Sequence, residues 1–159
     1  MPSPDLRFLF SRPAHFFALG LGTGLSPKAP GTLGTLLGFP VHWLVTLLPA
    51  AGFWLALAVL FLVGVWICDV TGKALGVSDH GSIVWDEIVA FALVLAFTPA
   101  MPVWCVAAFA LFRLFDIWKP FPIRHFDRTL KGGFGVMFDD LLAAGYAIAV
   151  LWVAQAYLG

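Results

Sequence analysis

The sequence predicts an all-α fold, a multispanning helical membrane bundle of about five short apolar helices with the polar site on one face. Three observations carry that expectation. Of 159 residues, 61% are hydrophobic and only 11% are charged, against about 25% charged in soluble domains. The apolar residues gather into five stretches, roughly 33–48, 53–68, 83–98, 101–115 and 141–158. The ionisable residues gather at or near the ends of these stretches, and all on the same side of the bundle.

Each stretch runs about 15 to 18 residues, near the lower limit of the roughly 17 to 25 that a spanning helix needs. They are long, continuous and rich in Leu and Ala, which favours helix over strand. The first opens at Gly31 and Thr32, within "GLGTGLSPKAPGTLGT", and its Gly34 and Gly38 form a GxxxG pair suited to close helix packing. The second follows the uncharged turn "LPAAG" and ends at Asp69. A helix starting near Ser82 places Asp86 and Glu87 about one turn inside the third stretch, where carboxylates mark a bundle interior or wet cavity. The fourth follows "TPAMP" and ends at Asp116; a negative charge at a helix C-terminus is unfavourable and calls for a compensating cation, Arg113 or Lys119. The fifth is opened by "FDD", Phe138 to Asp140, after the flexible-looking "KGGFG".

All nine Lys and Arg lie in three places: the N-terminal region (Arg7, Arg12, Lys28), the 69–82 loop (Lys73) and the 113–140 segment (Arg113, Lys119, Arg124, Arg128, Lys131). With five spans these places share one side of the membrane, and the positive-inside bias makes it cytoplasmic, with the C-terminus outside. There is no internal repeat or low-complexity linker, so residues 1–159 are expected to form one domain. No removable signal peptide is expected at the N-terminus.

The composition excludes some functions. A net charge of zero removes the basic surface of a nucleic-acid binder. Cys68 and Cys105 sit in apolar runs without CxxC spacing and read as small packing residues, as His15 and His42 read as packed or interfacial. His80 and His125 lie inside charged motifs and fit a site or a structural hydrogen bond equally.

What remains is the carboxylate set Asp79, Asp86, Glu87, Asp139 and Asp140, candidates for metal ligation and, for Asp79, Asp86, Glu87 and Asp139, for general base work. Hard oxygen donors without a Cys or His cluster point to Mg²⁺ rather than Zn²⁺. Lys28, Arg113, Lys119, Arg124 and Arg128, with Thr32 near the start of the first stretch, form the pool for binding an anionic phosphate group. Residues alone thus reach a cation-assisted site for a phosphorylated amphiphile. A small transporter or ion-pathway subunit, or a noncatalytic anionic-lipid-binding protein, are the alternatives. The transporter predicts charge spread through the membrane depth, and the lipid binder predicts indifference to Asp86→Asn and Asp139→Asn.

Four segments, "GLSPKAPGTLGT", "DHGSIVWDE", "FRLFDIWKPFPIRHFDR" and "GGFGVMFDD", together resemble the phosphatidylglycerophosphatase A family, from about Leu19 to Tyr157. The resemblance implies an integral-membrane, Mg²⁺-dependent lipid phosphatase. It would remove the terminal phosphate of phosphatidylglycerophosphate at the cytoplasmic face of a bacterial inner membrane, in phospholipid biosynthesis. The implied partners are that phospholipid and the bilayer, with no nucleic acid and no obligate protein partner. Other phosphatase signatures, CxxxxxR, DxDxT and the histidine-using lipid-phosphatase motif, are absent. Direct attack by a metal-activated water is therefore the expected chemistry, with an aspartyl-phosphate intermediate still open.

Overall fold

A computed structural model describes residues 3–158, and among them there is helix and loop but no strand. The helices are α1 (Leu6–Ser11), α2 (Pro13–Ala18), a 3-10 segment (Gly20–Leu25), α3 (Pro30–Leu36), α4 (Gly38–Thr46), α5 (Ala50–Leu75), α6 (Trp85–Ala96), α7 (Pro102–Trp118), α8 (Ile123–Thr129) and α9 (Gly132–Leu158). The all-helical expectation holds. Two of these helices, α5 with 26 residues and α9 with 27, are long and apolar enough to cross a membrane; each is about 40 Å long.

The other three apolar stretches take different forms. The first divides into α3 and α4. Pro40 explains the break: it has no N–H to donate to Leu36 and its ring crowds that carbonyl, so α3 stops at Leu36 and the chain restarts at Gly38. The third yields only α6, 12 residues beginning at Trp85 rather than near Ser82. Val84 is kept out of the helix, its N–H donating to Ala18 O at 2.9 Å. Asp86 and Glu87 therefore occupy the first turn of α6 instead of lying a turn inside it. Their burial comes from neighbouring helices rather than from depth. The fourth stretch gives the 17-residue α7.

The fifth stretch starts nine residues earlier than its apolar run, because "GGFG" is helical. Those glycines serve contact rather than flexibility. A Cβ on Gly133 would stand 1.8 Å from Val65 O, so only glycine lets α9 cross α5 there, and one on Gly64 would stand 2.7 Å from Met137 Sδ. Asp139 and Asp140 accordingly sit two turns inside α9, not at its N-terminus. The Gly34 and Gly38 pair does pack closely, Gly34 against Val84 and Gly38 against Phe91.

The central helix is α9, which packs on α5, α6, α7 and α8. The bundle has two unlike ends. At one, Trp54, Phe97 and Trp152 meet, with ring centroids 5.9 and 6.5 Å apart, and Gln155 Nε2 donates to Phe97 O at 3.2 Å. At the other, Asp69 accepts from Gly133 N at 3.3 Å and pairs with Lys73 at 2.6 Å. That contact and the continuation of α5 to Leu75 compensate Asp69, which the sequence had placed at a helix end.

Gly133→Ala is expected to destabilise the protein by about 1–3 kcal/mol through overpacking. Gly145→Ala, on the same helix with nothing within 4 Å of the added Cβ, should stabilise by up to about 1 kcal/mol. Thermal unfolding in detergent checks the pair; equal effects of the two substitutions would refute the close-contact role.

Candidate active site

Seven carboxylates converge at the polar end, delivered by five parts of the chain. The loop before α6 brings Asp79, α6 brings Asp86 and Glu87, α7 brings Asp116, α8 brings Asp127 and α9 brings Asp139 and Asp140. They sort into two groups, Asp79 with Asp127 and Asp139, and Glu87 with Asp116 and Asp140, each with carboxylate oxygens within 4.8 Å of one another. Asp139 and Asp140, adjacent on α9, point about 100° apart and so belong to one group each. Asp140 N donates to Asp139 Oδ1 at 3.1 Å across the junction.

One cation is embedded in each group. Lys119 Nζ lies 2.6 Å from Asp139, 2.8 Å from Asp127 and 3.9 Å from Asp79. Lys119 closes α7 in the left-handed region at φ 48°, a conformation uncommon outside glycine and often found at functional sites. Burial works against its charge, but the carboxylates of Asp139, Asp127 and Asp79 outweigh burial and hold its pKa above the ordinary lysine value. Partial burial raises the Asp127 carboxyl, yet the Lys119 hydrogen bond and charge win and keep it below the usual range. In the second group Arg113 Nη1 donates to Glu87 Oε1 at 2.9 Å and to Asp116, which stands three residues along the same helix face.

Two embedded cations are outnumbered by the seven carboxyl groups of this centre. Asp86 Oδ1, Glu87 Oε2 and Asp140 Oδ2 are buried with no hydrogen-bond partner among the described residues. A buried carboxylate oxygen without a partner is costly, and a divalent cation with oxygen ligands is one species that relieves it. The donor set therefore fits Mg²⁺. Glu87 is pressed into place by the turn into α3: a Cβ on Gly31 would stand 2.2 Å from Glu87 Oε1.

The structure redistributes the expected roles. Asp79, Glu87, Asp139 and Asp140 join the acid groups, whereas Asp86 lies beside them and belongs to neither. Asp116 and Asp127, absent from the expected metal set, are full members. Arg113 and Lys119 are committed to carboxylates instead of forming an open clamp. Arg124 and Arg128 remain exposed, lining a cleft of about 400 Å³ with Trp118, Lys119 and His125. Arg128 also lines a polar cavity of about 260 Å³ that contains Ser78, Asp79, Asp127 and Lys131. Lys28 is exposed and Thr32 half-buried on α3, and neither makes a side-chain hydrogen bond or ion pair with the acids among the described residues. His80 Nδ1 accepts from Ser82 N at 3.1 Å, a structural role, and the expected packing of His15 is seen in its stacking on Phe8 at 4.2 Å.

Fold and site together define an apolar all-helical protein with a carboxylate-rich centre at one end of its bundle. Residues 16–155 match the family model described as Phosphatidylglycerophosphatase A. The chain belongs to that family of phosphatases. It is 49% identical to phosphatidylglycerophosphatase A of Haemophilus influenzae over 98% of this chain and 97% of that protein. It is 43% identical to phosphatidylglycerophosphatase A of Escherichia coli over 92% and 86%. A relative in Bacteroides thetaiotaomicron, 41% identical over 88% of this chain and 92% of its own, is provisionally named a phosphatidylinositol-3-phosphatase. No solved structure matches.

Proposed function

We propose that this chain is a Mg²⁺-dependent lipid phosphatase of the bacterial inner membrane that hydrolyses phosphatidylglycerophosphate to phosphatidylglycerol and inorganic phosphate. The observation that carries the reading is the pair of carboxylate groups, each built around one cation, with buried unpartnered oxygens on Glu87 and Asp140 of the second group and on the adjoining Asp86. The names of the two closely similar relatives supply the substrate. In this reading α5 and α9 span the bilayer, the shorter α6 and α7 complete the bundle in a locally thinned region, and the polar end faces the cytoplasm.

Asp79, Asp127 and Asp139 hold one cation site, and Glu87, Asp116 and Asp140 hold or support a second. When bound, Mg²⁺ lowers the pKa of a water ligand and offsets charge on the phosphoryl oxygens. Lys119 fixes Asp127 and Asp139 in place, and Arg113 does the same for Glu87 and Asp116. Arg128, lining both the polar cavity and the cleft beside it, is placed to bind phosphoryl oxygens, and Arg124 extends that surface along the headgroup. The water oxygen bonds to phosphorus, its proton passes to a carboxylate of the centre, and the bond from phosphorus to the glycerol oxygen breaks. That oxygen takes up a proton and leaves as the hydroxyl of phosphatidylglycerol. An ion-pathway role fits less well, because the end of the bundle with Trp54, Phe97 and Trp152 is built of aromatic and apolar side chains rather than ionisable ones.

Purified protein given micellar phosphatidylglycerophosphate should release phosphate with Mg²⁺ and cease to do so with a chelator, recovering when Mg²⁺ is restored. Phosphatidylinositol 3-phosphate, run in parallel, should turn over more slowly. Release that ignores chelation would refute the cation role, and a preference for the inositol lipid would replace the headgroup.

A further inference from the structure

Beside the acid centre, α5, α6 and α9 leave a cavity of about 390 Å³ on the side of the bundle, and its lining includes Trp54, Ala58, Leu62, Leu93 and Leu141. All of these are apolar. Among the described residues, the sole charged side chain in its wall is Asp86. Asp86 is only 6% exposed, and its Oδ1 is buried without a hydrogen-bond partner among the described residues. It also lies within electrostatic reach of Glu87, Asp79, Asp139 and Asp116.

Direction follows from the antiparallel course of α5 and α6. Asp86 and Leu62 lie toward the polar end, Leu93 and Trp54 toward the opposite one; seven to eight residues separate the members of each series, or about 10–12 Å along the helices. The groove thus begins where the carboxylates are and runs into the apolar body. Its rim on α5 carries exposed Leu55, Val59 and Leu62, a surface suited to hydrocarbon.

We propose that this groove seats one acyl chain of the phospholipid whose phosphate is processed at the acid centre. The assignment rests on the lipid-phosphatase reading above and adds where the lipid's tail lies. A bulk lipid has no reason to lay its chain past a buried carboxylate. A lipid whose headgroup enters the acid centre must do so, because its glycerol joins the two regions. An apolar trough meeting a polar pocket at one end is the shape such an amphiphile requires.

The test uses full-length protein in bilayer discs and two photoreactive lipids with the same diazirine-tipped acyl chain, one on phosphatidylglycerophosphate and one on phosphatidylcholine. Crosslinks from the phosphorylated lipid should be enriched several-fold at residues 54–62, 89–93 and 141 over those from phosphatidylcholine. Ala58→Trp, which fills the groove from an exposed position, should abolish the enrichment and raise KM for long-chain substrate while kcat holds. Equal labelling of outward helix faces by both lipids would overturn the proposal, as would enrichment that survives Ala58→Trp. If that variant does not fold, the wild-type comparison decides alone. Phosphate release by the same preparation reads the activity separately: release without enrichment defeats the groove only, and enrichment without release defeats the activity only.

Discussion

Asp139→Asn should lower Mg²⁺-dependent phosphate release by on the order of 10²- to 10⁴-fold, the range associated with losing a positioned acid–base group. Asp139 is 3% exposed, receives Lys119 Nζ at 2.6 Å through Oδ2 and Asp140 N at 3.1 Å through Oδ1. It is the point where the two carboxylate groups touch. Asparagine keeps the shape and removes the charge, so Lys119 loses a counter-ion and the first group loses a hard anionic donor. The fold should survive, since Asp127 still pairs with Lys119 at 2.8 Å. Steady-state kinetics across a Mg²⁺ titration, with circular dichroism as the folding control, checks it. A folded Asp139→Asn protein with wild-type kcat/KM would remove Asp139 from the chemistry.

Arg113→Met should act mainly on stability. The guanidinium and its partners are nearly enclosed, with side chains 15% exposed for Arg113, 13% for Glu87 and 10% for Asp116. Breaking a buried ion pair from one side leaves an uncompensated charge and costs about 3–5 kcal/mol. Adding Glu87→Gln to Arg113→Met should restore part of that loss, and the double-mutant cycle measures the coupling directly. Additive losses in the cycle would mean that Arg113 and Glu87 do not depend on each other. Chemical denaturation in mild detergent supplies the four free energies.

The helical class and the gathering of ionisable groups at one end were legible in the sequence, because both depend on where apolar runs begin and stop. Asp79, Glu87, Asp139 and Asp140 could be chosen on that basis. Asp116 and Asp127 could not be placed with them, since joining Asp127 to Asp79 and Asp139 takes three separate parts of the chain. The Arg113 and Asp116 spacing of three residues was the available local signal for the second group, and it read only as charge compensation. Glycine misled in one place: "GGFG" has the composition of a hinge, but its Gly133 is fitted against the Val65 carbonyl inside a continuous helix. Pro40 was the overlooked cue that the first apolar stretch divides.

In the membrane-spanning arrangement proposed above, the large aromatic side chains have a consequence for how the protein rides in its lipid. Trp54 and Trp152 are 48% and 63% exposed at one extremity, and Trp118 and Phe121 are 58% and 81% exposed near the other. Indole rings, with an apolar body and a polar N–H, settle at the boundary between hydrocarbon and water. In that arrangement two such collars, one above and one below, would act as floats that resist vertical bobbing. They would keep the reactive mouth level with the plane in which phosphates lie, so that a lipid diffusing sideways arrives at the right height without being lifted out.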